Sequence, residues 1–438
     1  MRRIVVTQGF STPLKGETLV PPDKSMSHRS LIIGSLTREK IKISNFLKSA
    51  DCLATLDILR ALGCEIEFLD ENTLFLDAKN AYREPVSDLY CGNSGTTMRL
   101  LTGLLSSQNL ECRLTGDVSL SKRPMKRIIE PLSLMGARIK SNEGKAPLTI
   151  ERAELNGIEY ISPIASAQVK SALLLAGAET RKGATTVLEP HLSRDHSERM
   201  LKFLGSDIKT FRKNGLFGAT ISYKPLIPKD LTIVNDISSA AFLLVAASVI
   251  KNSEIILRKI GLNPTRTGII DVLKSMNADI EILSRDEISG EEIGDIKIKY
   301  SPDLKATKIE GEIIPKLIDE IPIIALLATQ AEGTTVIKDA GDLKNKESDR
   351  IASVARELRK FGAKIEPTDD GFIIEGKNGG KGLFKGGCEV ECYHDHRIAM
   401  MGYIAGLISE KPCQINDFEW VETSFPNFLK IFEGLQSE

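Results

Sequence analysis

The sequence has no CxxC pair, no surplus of either charge and no long apolar run, and each absence closes off a class of function. Lysine and arginine number 58 against 59 aspartates and glutamates, a net charge of −1. A protein whose main partner is nucleic acid needs a basic stripe that this balance does not supply. Any anion bound here is therefore held locally, by a few convergent side chains. The longest apolar stretch, AAFLLVAASVI (Ala240–Ile250), is too short to cross a bilayer and reads as a buried helix. MRRIVV offers only a short apolar run, so no signal peptide is expected. The seven cysteines are odd in number and scattered from Cys52 to Cys413, which points to a reduced, cytoplasmic setting. In CEVEC, Cys388 and Cys392 alternate with other residues as a strand would, and HDH (His394–His396) has no third ligand cluster beside it. No metal site is expected from either.

What is present is an ordinary globular composition, 27% charged and 42% hydrophobic over 438 residues, long enough for two or three domains. Five segments share an apolar helix end, a turn residue and a strand start: LRALGCEIEF, LSLMGARIKS, LKFLGSDIKT, LKSMNADIEI and LRKFGAKIEP. Their turn residues, Gly63, Gly136, Gly205, Asn277 and Gly362, suit the left-handed backbone that ends a helix. They lie 73, 69, 72 and 85 residues apart, and a truncated sixth copy is read at Gly434, 72 beyond Gly362. A period of this kind marks a repeated structural unit. Helices are expected over 50–62, 96–106, 123–135, 165–178, 193–204 and 348–361. Strands are expected at TLFLDA, APLTIE, ATTVLEP, DIKIKY and GFIIEG. Six such units suggest two lobes of three, changing over near Ile233–Phe242, with the ligand cleft between them.

Cations gather where helices begin. In PPDKSMSHRS, Asp23 is a good cap, and Lys24, Ser25, His28 and Arg29 follow it on a helix start whose free N–H groups suit an anion. CGNSGTTMRLL (Cys91–Leu101) reads equally as an anion-binding turn and as a plain capped helix. GDVSLSKRPMKR (Gly116–Arg127) carries four cations in a loop closed by Pro124. ASAQVKSALL offers Ser166, Gln168 and Lys170 to ligand hydroxyls, and GDLKNKESDRI sets Lys346 and Arg350 on one helix face around Glu347. HDHRIAM places Arg397 at another helix mouth. Asp319 and Glu320 stand before an apolar helix, where they serve either as an acidic cap or as a general base. Dipole logic prefers acids at helix starts, so repeated cations there imply a multiply charged anionic substrate pair.

These motifs, from DKSMSHR through GNSGTTMRL, KRPM, SAQVKSALLLAG, DISSAAF, IDEIPIIA, KESDR and DHRIAM to TSFPNF, are familiar as a set. Nearly end to end the chain resembles the family of 5-enolpyruvylshikimate-3-phosphate synthases, and RDHSE, SAQVK and NPTR resemble its second class, known for glyphosate-tolerant members. The resemblance implies a mixed α/β (α+β) fold with six βαβαββ-type units in two lobes. One lobe spans 22–236, the other 237–438 together with 1–21. It implies transfer of the enolpyruvyl group of phosphoenolpyruvate to the 5-hydroxyl of shikimate 3-phosphate, without metal or organic cofactor. Lys24, Ser25, Arg29, Ser166, Ala167, Gln168, Arg194, Asp319 and Lys346 would hold shikimate 3-phosphate. Lys24, Gly95, Arg123, Gln168, Arg350 and Arg397 would surround phosphoenolpyruvate. Asp319 would take the hydroxyl proton, and Glu347 with Lys24 would serve the methylene carbon. A cytoplasmic monomer with no nucleic-acid or membrane partner is expected.

Two rivals and several departures qualify the resemblance. A sister enzyme acting on UDP-N-acetylglucosamine carries a reactive cysteine before an Arg–Pro pair, whereas DVSLSKRP has Val118 there and no cysteine after Cys112. A non-catalytic phosphoanion binder, or a relative of RNA-terminal phosphate cyclases, would lack Asp319 and the Lys346–Glu347 pair in context. Thr423 stands where some first-class members have a lysine, and Gly95 leaves inhibitor tolerance open. Pro22 replaces the family's usual glycine, and Val234–Asn235–Asp236 its usual Pro–Gly–Asp. Both changes stiffen the expected crossings between lobes. Asn235→Gly is therefore expected to shift the open-to-closed balance seen by small-angle scattering; an unchanged profile would refute the idea.

Overall fold

The computed structural model describes residues 3–6, 12–376 and 384–436. The chain divides into two compact units: an inserted unit, Pro22–Val234 with Glu287–Glu291, and a flanking unit, Met1–Pro21 with Asn235–Asp286 and Glu292–Glu438.

The inserted unit is one pattern used three times. In its second copy, strand Leu89–Tyr90 leads through helix α3 (Gly95–Ser106) to Cys112–Thr115, then through α4 (Lys126–Leu134) to the hairpin Arg138–Asn142/Lys145–Glu151. The first strand pairs parallel with the second, the second antiparallel with the fourth, and the fourth antiparallel with the third. Glu159–Ile161, α5 (Ala167–Glu179), Thr185–Glu189, α6 (His196–Phe203), Asp207–Lys213 and Leu216–Ser222 repeat it. The first copy holds α1 (Lys24–Ser35), Lys40–Ser44, α2 (Ala50–Ala61), Glu65–Phe68 and Leu74–Asp77. Its missing first strand is supplied by Leu231–Thr232, with Leu231 opposite Ile43.

The first two copies in the flanking unit have the same sheet order, and the last, among the described residues, is a three-stranded sheet. Lys15–Thr18 pairs parallel with Glu254–Gly261, although the whole inserted stretch separates that strand from the next helix, α7 (Ile237–Val249). α8 (Gly268–Ser275), Ile280–Ile282 and Glu291–Lys299 complete this copy. Next come Lys308–Ile309, the short α9 (Ile314–Leu317), α10 (Ile321–Thr329), Thr334–Ile337, α11 (Arg350–Lys360), Lys364–Pro367 and Phe372–Glu375. Last are Glu389–Val390, α12 (His396–Leu407), Cys413–Ile415 and α13 (Phe428–Gln436), with Ile4–Val6 pairing antiparallel to Cys413–Ile415. α7 is buried from Ile237 to Ser248, as its apolar run implies.

The repeated signature has a physical origin. Gly63, Gly136, Gly205, Asn277 and Gly362 all have positive φ directly after a helix. In each, the residue after the turn donates its N–H to the carbonyl of the segment's first leucine: Cys64 to Leu59, Ala137 to Leu132, Ser206 to Leu201, Ala278 to Leu273 and Ala363 to Leu358. The turn residue itself donates to the next carbonyl along. This is the Schellman closure, which satisfies two orphan carbonyls and turns the chain into a strand. All five leucines are fully buried. Gly434 is the exception. It lies inside α13 rather than after it, because its leucine, Leu429, is five residues back instead of four.

Two other expectations move at their edges. The helix read from Arg123 begins at Lys126, since Arg123 precedes Pro124 and is extended (φ −74°, ψ 141°). The helix read from Ser193 begins at His196, leaving Arg194 in a loop. Gly63 and Gly362 separate backbone strain from crowding: a Cβ at Gly63 (φ +99°) would lie 2.5 Å from the Asn80 carbonyl oxygen, whereas at Gly362 (φ +92°) it meets nothing within 4 Å. Gly362→Ala should cost about 1–2 kcal/mol and Gly63→Ala clearly more, read from urea midpoints. Equal losses would refute the crowding term.

Candidate active site

The residues singled out from the sequence fall at one place in the repeat: where a chain leaves a parallel strand and enters a helix. Gly95, Gln168, Asp319 and Arg397 follow the first strand of their copies. Arg123, Arg194, Lys346 and Arg350 follow the second. Such carboxyl-end loops, with helix N-termini behind them, are where α/β folds bind anions.

In the inserted unit, Asp23 caps α1 by accepting from the Met26 N–H at 2.8 Å, which starts the helix at Lys24. Lys24 Nζ sits 2.8 Å from Asp51 Oδ2. Arg29, 3% exposed, donates from Nε to Ser197 Oγ (2.8 Å), from Nη2 to Ser171 Oγ (3.0 Å) and from Nη1 to the Ser25 carbonyl (3.0 Å). One guanidinium thus ties α1 to α5 and α6. Ser25, Ser166, Ala167 and Arg194 are half-buried near helix starts. Gln168 accepts from Arg99 Nη1 at 2.7 Å and donates to Thr96 Oγ1 at 3.0 Å. A Cβ at Gly95 would come within 2.8 Å of Arg99 Nη1 and 3.4 Å of Arg123 Nη1, so this glycine keeps a small space beside two guanidinium groups. Arg123 is oriented by Asn93 Oδ1, which accepts from its Nη2 at 2.5 Å. Arg99 was not singled out from the sequence; its position one turn after Gly95 on α3 was the available signal.

Two expected ligand-facing groups turn inward instead. Lys170 is buried, 2.7 Å from Glu189 and 2.8 Å from Glu198, because two carboxylates outcompete solvent for its ammonium. His28 is fully buried with Nδ1 2.7 Å from Thr55 Oγ1. Burial, then the charges of Lys24 and Arg29, push its pKa well below the usual 6.5. Below pH 6.5 the unfolded chain takes up a proton that the native imidazole refuses, so stability falls with acidification. The slope from this group is at most about 1.4 kcal/mol per pH unit. His28→Gln should flatten the decline of thermal stability between pH 6.5 and 5; an unchanged slope would exclude His28 as its source.

In the flanking unit one cation organises the acids. Arg350, 1% exposed at the start of α11, places Nε 2.8 Å from Asp395, Nη2 2.6 Å from Glu347 and Nη1 3.3 Å from Asp319. Burial works against its charge, but Asp395, Glu347 and Asp319 outweigh burial and raise its pKa. Lys346 lies 3.3 Å from the same Asp319 oxygen and 3.4 Å from Asp342. Asp319 is therefore a partly exposed carboxylate facing two cations, not one desolvated by an apolar helix. The desolvated neighbour is Glu320, fully buried, accepting from Ser238 Oγ with Arg397 Nη1 4.0 Å away. Asp395, which the sequence reading quoted in HDH and DHRIAM without giving it a role, also caps α12 by accepting from the Arg397 N–H at 3.0 Å. It couples Arg350 to the helix that carries Arg397. Thr423 lies in a 3-10 turn, Phe418–Thr423.

Comparison with known proteins identifies the family. The family model for EPSP synthase (3-phosphoshikimate 1-carboxyvinyltransferase) matches residues 10–432. The 3-phosphoshikimate 1-carboxyvinyltransferase of Bacillus licheniformis is 49% identical over 431 residues, 98% of this chain and 99% of that protein. That of Thermodesulfovibrio yellowstonii is 49% identical over 427 residues, 97% of each chain. Among solved structures, EPSP synthase from Acinetobacter baumannii superposes with a TM-score of 0.86 at 41% identity, covering 100% of this chain and 98% of its own. The enolpyruvyl transferase NikO from Streptomyces tendae shares the fold, with a TM-score of 0.76 at 18% identity over 98% of this chain and 96% of that one. Matched over nearly its whole length, this chain belongs to the EPSP synthase (3-phosphoshikimate 1-carboxyvinyltransferase) family.

Proposed function

We propose the following roles for these residues in the family's reaction, transfer of the enolpyruvyl group from phosphoenolpyruvate to shikimate 3-phosphate. Lys24, Ser25, Arg29, Ser166, Ala167, Gln168, Arg194 and Lys346 hold shikimate 3-phosphate. Lys24, Gly95, Arg123, Gln168, Arg350 and Arg397 hold phosphoenolpyruvate. The two substrates bring two phosphates and two carboxylates together, so several cations must neutralise them.

Asp319 accepts the proton of the 5-hydroxyl while that oxygen bonds to C2 of phosphoenolpyruvate, and Glu347 with Lys24 supplies a proton to the methylene carbon. The tetrahedral adduct then loses phosphate from C2 and a proton from the methyl group, restoring the double bond. Arginines beside the phosphate stabilise the leaving charge. The assignment draws on both units and requires their residues to act on one bound pair.

The observation that carries it is the Arg350 cluster, which keeps Asp319 and Glu347 on one guanidinium beside Lys346. A cysteine mechanism like that of the UDP-N-acetylglucosamine enzyme finds no support. Cys112 opens strand Cys112–Thr115, and burial pushes its thiol up to about 12. We place the protein in the cytoplasm as a monomer. No helix among the described residues is long and apolar enough to cross a membrane.

Phosphate release from phosphoenolpyruvate should require shikimate 3-phosphate and fall about 10²–10⁴-fold in Asp319→Ala. Turnover with UDP-N-acetylglucosamine instead would overturn the assignment.

A further inference from the structure

Beneath the loop that carries Arg194 lies a buried charge cluster that the reaction does not use. Glu189 ends strand Thr185–Glu189, Lys170 lies in the first turns of α5 and Glu198 in the first turn of α6; all three are at least 96% buried. Lys170 Nζ lies 2.7 Å from Glu189 Oε1 and 2.8 Å from Glu198 Oε1. Between Glu189 and α6 the chain runs through only Pro190–Asp195, and the cluster grips that loop at one residue. The Ser193 N–H donates to Glu189 Oε1 at 2.9 Å, its hydroxyl donates to Glu189 Oε2 at 2.7 Å, and its carbonyl accepts from Lys170 Nζ at 3.3 Å. Every polar group of Ser193 is thereby spoken for, and the next residue is Arg194.

We propose that Lys170 and Glu189 are positioning residues that act through Ser193 to hold Arg194 where it meets the phosphorylated substrate. This rests on the reading of Arg194 as a shikimate 3-phosphate ligand. The costs favour a purpose beyond stability. Ionised groups buried this deeply are expensive to desolvate, and an apolar trio of similar volume is often no less stable. Glu198 shows the strain: burial raises its pKa, and its Oε2 has no hydrogen-bond partner among the described residues. An apolar trio would leave the Ser193 N–H, hydroxyl and carbonyl without these partners and loosen the backbone that carries Arg194. A long, flexible arginine binds best when its root is fixed in advance, because less is lost on ordering. The Arg29 contacts to Ser171 and Ser197, each one residue from the cluster, brace the same two helices.

The test is a double-mutant cycle on shikimate 3-phosphate binding, measured by calorimetry without phosphoenolpyruvate. Glu189→Gln keeps the shape but removes the charge and should weaken binding about tenfold. Arg194→Ala should weaken it at least as much. The double variant should bind within about twofold of Arg194→Ala alone, since the first change has nothing left to act through. The KM for phosphoenolpyruvate should move less than about twofold in Glu189→Gln. If Glu189→Gln fails to fold by circular dichroism, Ser193→Ala replaces it, with an expected loss of about threefold and the same non-additivity. Additive losses, or equal weakening for both substrates, would mark the cluster as structural only and overturn the proposal. Wild type that binds no shikimate 3-phosphate would remove the Arg194 assignment and this inference with it. Wild type that binds, with unchanged variants, would overturn this inference alone.

Discussion

Charge compensation at Arg350 is the constraint on which the polar cluster of the flanking unit depends. A guanidinium 1% exposed cannot remain ionised without partners, and it has three in Asp319, Glu347 and Asp395. Removing the arginine would leave three carboxylates within a few ångströms of one another, which would neutralise or disperse. The same arrangement explains how cations can sit at helix starts, where the dipole disfavours them. Protein carboxylates compensate them: Asp51 beside Lys24, Asp319 and Asp342 beside Lys346.

The repeat supplies the geometry for that chemistry. Each copy sends two parallel strands towards helices, and each strand-to-helix loop is a place to mount a charged side chain near free N–H groups. In five copies the opposite end of the second helix is closed by the Schellman turn, which returns the chain to a hairpin. Charged side chains and packing thus occupy different ends of the same unit: Arg123 and Arg194 stand in the strand-to-helix loops, while Leu132 and Leu201 are buried at the helix ends.

Several features were legible because their causes are local. The Leu-x-x-apolar-Gly/Asn signature is a hydrogen-bonding motif within six residues, and it located one point inside each of five copies of the repeat. Asp23 as a cap and α7 as a buried helix follow from neighbours in the chain. Gly434 misled because an apolar–glycine coincidence was read without the four-residue spacing from leucine that the closure demands. Cations and polar groups at helix starts brought Lys24, Gln168, Arg350 and Arg397 to attention, but which side chains orient them, Asp51, Arg99 and Asp395 among them, is set by packing between distant segments.

By itself the sequence determined the period of the repeat, the helix ends, the balance of charge and the set of polar residues at helix mouths, because hydrogen bonding and hydrophobic spacing act over a few residues. Only the tertiary structure decided which of those charges are spent internally. Lys170 and Lys346 look alike in sequence, each a lysine near a helix start; one is locked between Glu189 and Glu198, 19 and 28 residues away, and the other stays partly exposed beside Asp319. Whether a cation serves the fold or a ligand depends on which distant carboxylates packing brings to it, and that is a property of the folded chain alone.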